Sequence, residues 1–175
     1  MCCSIAISSS ATAVPPAVSA WARGNAGDLD VLLGQAQAIG RARRGERDCS
    51  GLLRGRNVGL LCGGEPGEAA ALFTRAATAL GARVSRLSGD LAAPGGRDER
   101  AIARVLGRLY DAIECQAVPT ETIARLRGAA GVPVYDGLAT ASHPTAALVP
   151  MLGLPPDEAR ELVVQASLVA AFDGA

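Results

Sequence analysis

Short apolar runs alternate with helix-periodic segments along most of the chain. "NVGLLC" (57–62), "RVSRL" (83–87), "DAIECQ" (111–116) and "VPVYDG" (132–137) have the length and branching of strands. Each run is followed by a helical pattern. The first spans about Gly67 to Leu80 and the second runs through "RAIARVLGRL". The third is "TETIARLRGAA", with Thr120 as its cap, and the fourth is "LATASHPTAALVPML". Upstream, Leu29, Leu32, Leu33, Ala36 and Ile39 recur at helical spacing, which predicts an amphipathic helix from Asp28, a suitable N-cap, to about Arg44. Downstream, Pro156, Asp157 and Glu158 suit a first helical turn, and Leu162, Val163, Ala166 and Val169 continue it as an apolar stripe.

This βαβα rhythm predicts an α/β fold: three layers, an open parallel sheet of about four strands, helices on both faces and right-handed crossovers. Residues 1–22 are small, polar and Pro-containing, and read as a disordered tail rather than a secretory signal. Residues 23–175 read as one domain, with 155–172 as a terminal helix packing back on it. Ligands of open parallel sheets bind beyond the carboxyl ends of the strands. Those ends are Cys62–Gly67, Ser88–Gly96, Cys115–Pro119 and Asp136–His143.

Composition narrows the function. The 17 basic and 17 acidic residues balance, so nucleic acid and anionic membrane surfaces are not expected partners. Lysine is absent, which excludes a Schiff base or a lysine-activated nucleophile. The five cysteines form no Cys-x-x-Cys pair, and reduced thiols in a cytoplasmic protein are the expected state. Cys62, Cys115 and His143 all fall at strand ends, but they lack a ligand-spacing motif, so no metal and no cofactor is expected. No apolar run is long enough to span a bilayer.

The first strand leads into "CGGEPGEAA". A strand, a glycine-rich turn and a helix start gather free backbone N–H groups into an anion site. Yet Glu65 and Glu68 occupy this turn, and no basic or hydroxyl side chain comes before Thr74. One reading makes the two acids first-turn residues that complement the helix dipole. The other makes them a preference for a cation or an amine.

Four segments in order resemble the aspartate/ornithine carbamoyltransferase family. They are "LLRGRNVGLL", "FTRAATALGARVSRL", "ARVLGRLYDAI" and "VPVYDGLATASHPTAAL", and together they run from Leu52 to about Leu152. The resemblance implies the carbamoyl-phosphate-binding domain of that family, with the amino-acid-binding domain absent and the trimer-forming surface retained. It also implies departures at the site. The family's Ser-Thr-Arg-Thr-Arg falls on Pro66, Gly67, Glu68, Ala69 and Ala70, its third-strand Arg falls on Gln116, and its His-Pro-x-Gln becomes His143, Pro144 and Ala146. Two arginines and two hydroxyls lost at roughly 1.5–3 kcal/mol per charge-assisted bond amount to about 5–10 kcal/mol, against ~8 kcal/mol for micromolar binding.

The implied protein is therefore a carbamoyltransferase-like, catalytically inactive homologue. It would act by self-association, as a trimer, or by association with a full-length carbamoyltransferase. The alternative is a small-molecule-binding protein or transferase of altered specificity, binding carbamoyl phosphate or another small anion weakly. Its ligand-binding positions would be Gly67, Glu68, Ala69, Gln116, His143 and Asp90, with His143 polarising a carbamoyl carbonyl. His143 has a second reading, as a helix-start residue satisfied by backbone. Arg104 and Arg108, one helical turn apart, lie where the family approaches its subunit interface, or are solvated surface residues.

Overall fold

A computed structural model describes residues 26–45, 48–88 and 99–173 of the 175. Four parallel strands form one sheet in the order β2-β1-β3-β4. They are β1 (Asn57–Cys62), β2 (Arg83–Ser88), β3 (Ala112–Gln116) and β4 (Val134–Asp136). The helices are α1 (Ala26–Arg44), α2 (Glu68–Ala79), α3 (Glu99–Leu109), α4 (Thr120–Ala129) and α5 (Pro156–Asp173). No helix among the described residues is long and apolar enough to cross a membrane.

Alternation along β1 sorts the helices between the faces. Val58 and Leu60 pack with Ala70, Phe73 and Ala77 of α2 and with Val164 and Leu168 of α5. Leu61 faces the other way, onto Ala103 and Leu106 of α3 and Ile123 and Leu126 of α4. Such two-faced burial is why a parallel strand reads as a continuous apolar run. Helix α1 lies outside these layers. Its Leu32, Ala36 and Ile39 pack on Leu162, Val163 and Ala166 of α5 and do not reach the sheet. Glu161 of α5 reinforces this outer contact by pairing with Arg43 at 3.1 Å.

Three local expectations are corrected. Helix α1 begins at Ala26, so Asp28 lies in its first turn and not at the cap. Helix α4 is capped by Pro119, whose carbonyl accepts from Thr122 N–H at 2.9 Å; Thr120 is the first helical residue. The fourth predicted helix is two 3-10 turns, Pro144–Leu148 and Pro150–Leu152. Pro144 and Pro150 explain the break. Neither ring has an N–H to donate, and His143, the residue before Pro144, is held extended, whereas Val149 before Pro150 stays helical.

Opposite the ligand-binding edge, Asp111 ties the sheet to α5. Its carboxylate pairs with Arg56 at 3.0 Å and accepts from Asn57 N–H at 2.8 Å. Arg56 in turn stacks over the Phe172 ring, 5.0 Å from its centroid.

Close helix contact sets one sharp requirement. A Cβ at Gly107 would collide with the Ala130 carbonyl at the end of α4, whereas a Cβ at Gly128 would meet nothing. Gly107→Ala is expected to destabilise the fold by about 1–3 kcal/mol, since overpacking outweighs the helix-propensity gain. Gly128→Ala should be neutral or stabilising by up to about 1 kcal/mol. Urea denaturation of both variants checks the pair of signs.

Candidate functional site

The chain leaves β1 for β2 on one side and later returns to place β3 on the other. The strand order therefore reverses between β1 and β3, which makes the crevice beyond Cys62 and Gln116 the expected ligand position of such a sheet. The two loops there meet through backbone. Gly63 N–H donates to the Gln116 carbonyl at 2.9 Å, and a Cβ at Gly63 would collide with the Ala117 carbonyl oxygen. Ala117 has a φ of +52°, the only positive value at a non-glycine position among the described residues. Left-handed backbone costs an alanine about 1–2 kcal/mol, which the close loop contact sustains.

Gly67, Glu68 and Ala69 stand at the start of α2, as the pattern predicted. Gly67 is the N-cap and has no side chain to bond the first-turn N–H groups, so the helix start keeps the form of an anion cradle. The exposed Glu68 carboxylate occupies its first turn, and no arginine or lysine replaces it there.

Gln116 lies across the crevice and is itself occupied. Its Nε2 donates to Glu114 Oε1 at 3.2 Å, beneath the site. Glu114 is fully buried on the α2/α5 side of the sheet, and its Oε2 has no hydrogen-bond partner within ordinary reach. Burial pushes its carboxyl up to about 8. Gln116 and the backbone N–H groups of Leu138 and Ala139 oppose the shift, and the nearby Asp136 charge adds to it. Glu114 is accordingly a neutral acid at pH 7.

His143 begins the first 3-10 turn. Its Nδ1 accepts from Thr145 N–H at 3.3 Å and lies 2.8 Å from Thr145 Oγ1, so the neutral ring carries its proton on Nε2. Burial holds the imidazole below the ordinary histidine value, opposed by Asp136 and assisted by Arg127. The backbone-capping role is thus present, and it leaves Nε2–H as a donor. The Asp136 charge at the end of β4 influences both His143 and Glu114, although Asp136 pairs with Cys115 in the β3–β4 register and so takes the opposite face of the sheet from Glu114.

Asp90 lies outside the described residues. Cys62 and Cys115 cannot share a ligand, because Cys62 packs on the α2/α5 side and Cys115 on the α3/α4 side. Burial also pushes Cys115 to about 12, so it is an inert thiol. Ala146, where the resemblance places a lost Gln, is a half-buried residue of the His143 turn.

Pattern reading missed three charged residues. Glu114 was legible as an acid inside an apolar strand. Asp136 ends β4, and Arg86 lies on β2, one strand away from the glycine-rich turn. Arg86 lines an open cleft of about 410 Å³ with Cys62, Gly63, Gly64, Glu65, Pro66, Leu87 and Ser88.

Similarity to known proteins matches this geometry. The catabolic ornithine carbamoyltransferase of Burkholderia mallei is 35% identical over 129 residues, covering 73% of this chain and 38% of its own length. This is a carbamoyltransferase-like domain. The ornithine carbamoyltransferase of Pyrococcus furiosus superposes with a TM-score of 0.61 at 20% identity, over 73% of this chain and 41% of that one. Aspartate transcarbamoylase from Trypanosoma cruzi, solved in complex with phosphate, superposes at 0.61 with 21% identity, over 79% of this chain and 46% of that one. These two likenesses establish the fold of the carbamoyltransferase-like domain. No family model matches the chain, and it spans about two-fifths of the curated relative it matches.

Glu114 generates a pH prediction. Below the ordinary carboxyl value of 4.5 both folded and unfolded states are protonated. Between 4.5 and about 8 the folded state keeps a proton that the unfolded chain has released. Stability should fall with rising pH across that window, by up to about 1.4 kcal/mol per pH unit, and level off above it. Glu114→Gln should flatten this slope, as measured by denaturant midpoints from pH 5 to 9.

Proposed function

We propose that this carbamoyltransferase-like domain is non-catalytic and acts by association, either with copies of itself, as a trimer, or with a full-length carbamoyltransferase. The observation that carries the first half is the charge at the switch point. The helix start that suits an anion holds Glu68 and no cation, and Gln116 opposite it is bonded to the buried Glu114. A carboxylate about 4 Å from a phosphate opposes it by roughly 4 kcal/mol per charge pair at an effective dielectric near 20. The phosphate held by the Trypanosoma cruzi relative would meet Glu68 and a neutral amide here. His143 Nε2–H remains able to donate to a carbonyl, but one donor does not hold a dianion.

Support for association comes from α3. Val105 and Leu109, one turn apart, are 53% and 59% exposed, and they are flanked by the exposed Arg104 and Arg108. Two large apolar side chains together on a solvent face suit a contact rather than water. A second copy of the chain is the expected occupant.

Calorimetric titration with carbamoyl phosphate is expected to give no binding heat through millimolar ligand. Micromolar binding would overturn the non-catalytic reading. The double variant Glu68→Arg/Gln116→Arg should raise phosphate affinity at least tenfold, and no gain would remove Glu68 and Gln116 as the obstacle. Sedimentation velocity should show a trimer, and Val105→Glu/Leu109→Glu should return it to monomer with an unchanged circular dichroism spectrum. A monomeric parent that captures no carbamoyltransferase would sink the association.

A further inference from the structure

We propose that the cleft between the ends of β1 and β2 is a binding site for a small zwitterion, with Arg86 holding its anionic group and Glu65 its cationic group. The cleft measures about 410 Å³, inside the roughly 300–1,000 Å³ range of small-molecule pockets. Both charged residues line it. Neither makes an ion pair or side-chain hydrogen bond among the described residues, where Arg43, Arg44, Arg56, Arg75 and Arg125 are all paired with acids. Two opposite charges that share a cleft without neutralising each other leave both available to a ligand.

Local geometry turns Arg86 toward this space. It sits opposite Leu60 in the β1–β2 register, so it projects from the same face of the sheet as Cys62 two residues on. Its charge reaches the Cys62 thiol, where it opposes the effect of burial. The opposite wall is the turn Gly63–Gly64–Glu65–Pro66. A Cβ at Gly64 would meet nothing within 4 Å, so its backbone is open to a ligand. Rigid backbone pairing of Gly63 to Gln116 fixes this wall relative to the sheet.

Charge complementarity selects the ligand class. A simple anion drawn to Arg86 is repelled by Glu65, and a simple cation meets the reverse. A molecule with one group of each sign satisfies both and leaves no charge unmatched. The site is separate from the association proposed above, since Val105 and Leu109 lie on α3, against the other face of the sheet.

The test titrates the full isotope-labelled chain with glycine, β-alanine and 4-aminobutanoate, a series of increasing charge separation, and follows backbone amide shifts. Acetate and methylammonium serve as the two half-ligands. At least one of the three zwitterions should bind at least tenfold more tightly than either half and should shift the Gly63 and Gly64 amides. Arg86→Gln and Glu65→Gln should each weaken it at least tenfold. Both side chains are exposed, and preserved amide dispersion verifies the fold of each variant. Acetate binding as tightly as the zwitterions, or surviving Glu65→Gln unchanged while they do too, would make this a plain anion site and overturn the proposal. No shift with any of the three up to tens of millimolar would also overturn it.

Discussion

Strand β1 has no face left for solvent, and the molecule is arranged around that constraint. Val58 and Leu60 need an apolar cover on one side, and Leu61 needs one on the other. A parallel neighbour on each edge completes its hydrogen bonds, so β1 takes the centre of the sheet, between β2 and β3. Helices α2 and α5 then close one face and α3 and α4 the other, each through a stripe of Ala, Leu or Val. The position of the crevice follows from the same arrangement. It lies beyond the ends of β1 and β3, where the Gly63–Gln116 backbone bond holds the two loops together.

At that crevice the domain keeps the form of an anion site while its charges point the other way. The uncapped start of α2 still presents N–H groups, but an acid stands among them. Below, Glu114 is held neutral by burial and engages the one polar side chain that projects from the end of β3. A buried carboxylic acid with an unmatched oxygen costs stability unless it stays protonated. Position 116 therefore commits one of its two amide hydrogens to an internal polar pair.

The cations at this end of the sheet have other uses. Arg127 and Arg160 spend their donors on the backbone carbonyls of Val134 and Ala139, which hold the β4 end and the loop after it against α4 and α5. Arg86 stands on the β2 edge strand, where it shares an open cleft with Glu65. Charge on an edge strand also discourages pairing with another sheet, so Arg86 has a structural use whether or not a ligand is present.

Periodicity alone determined the strands and all but one of the elements it predicted as helices. The four apolar runs became the four strands within two residues at each end, and the parallel α/β class followed from their alternation with helices. It also placed the strand ends and the glycine-rich turn, because these are local features, whereas Glu68, Gln116 and His143 were singled out by the family resemblance. Only tertiary structure decided the rest. The His-Pro segment has helical apolar spacing, yet two prolines deny it the N–H groups an α-helix needs, and it settles as 3-10 turns. Whether Gln116 is free depends on Glu114, and the fully buried state of that acid depends on helices and loops far along the chain. The pairing of Arg86 with Glu65 across one cleft joins residues on different strands' ends. A linear pattern records which face a residue takes, but not which charges the folded chain brings within reach of one another.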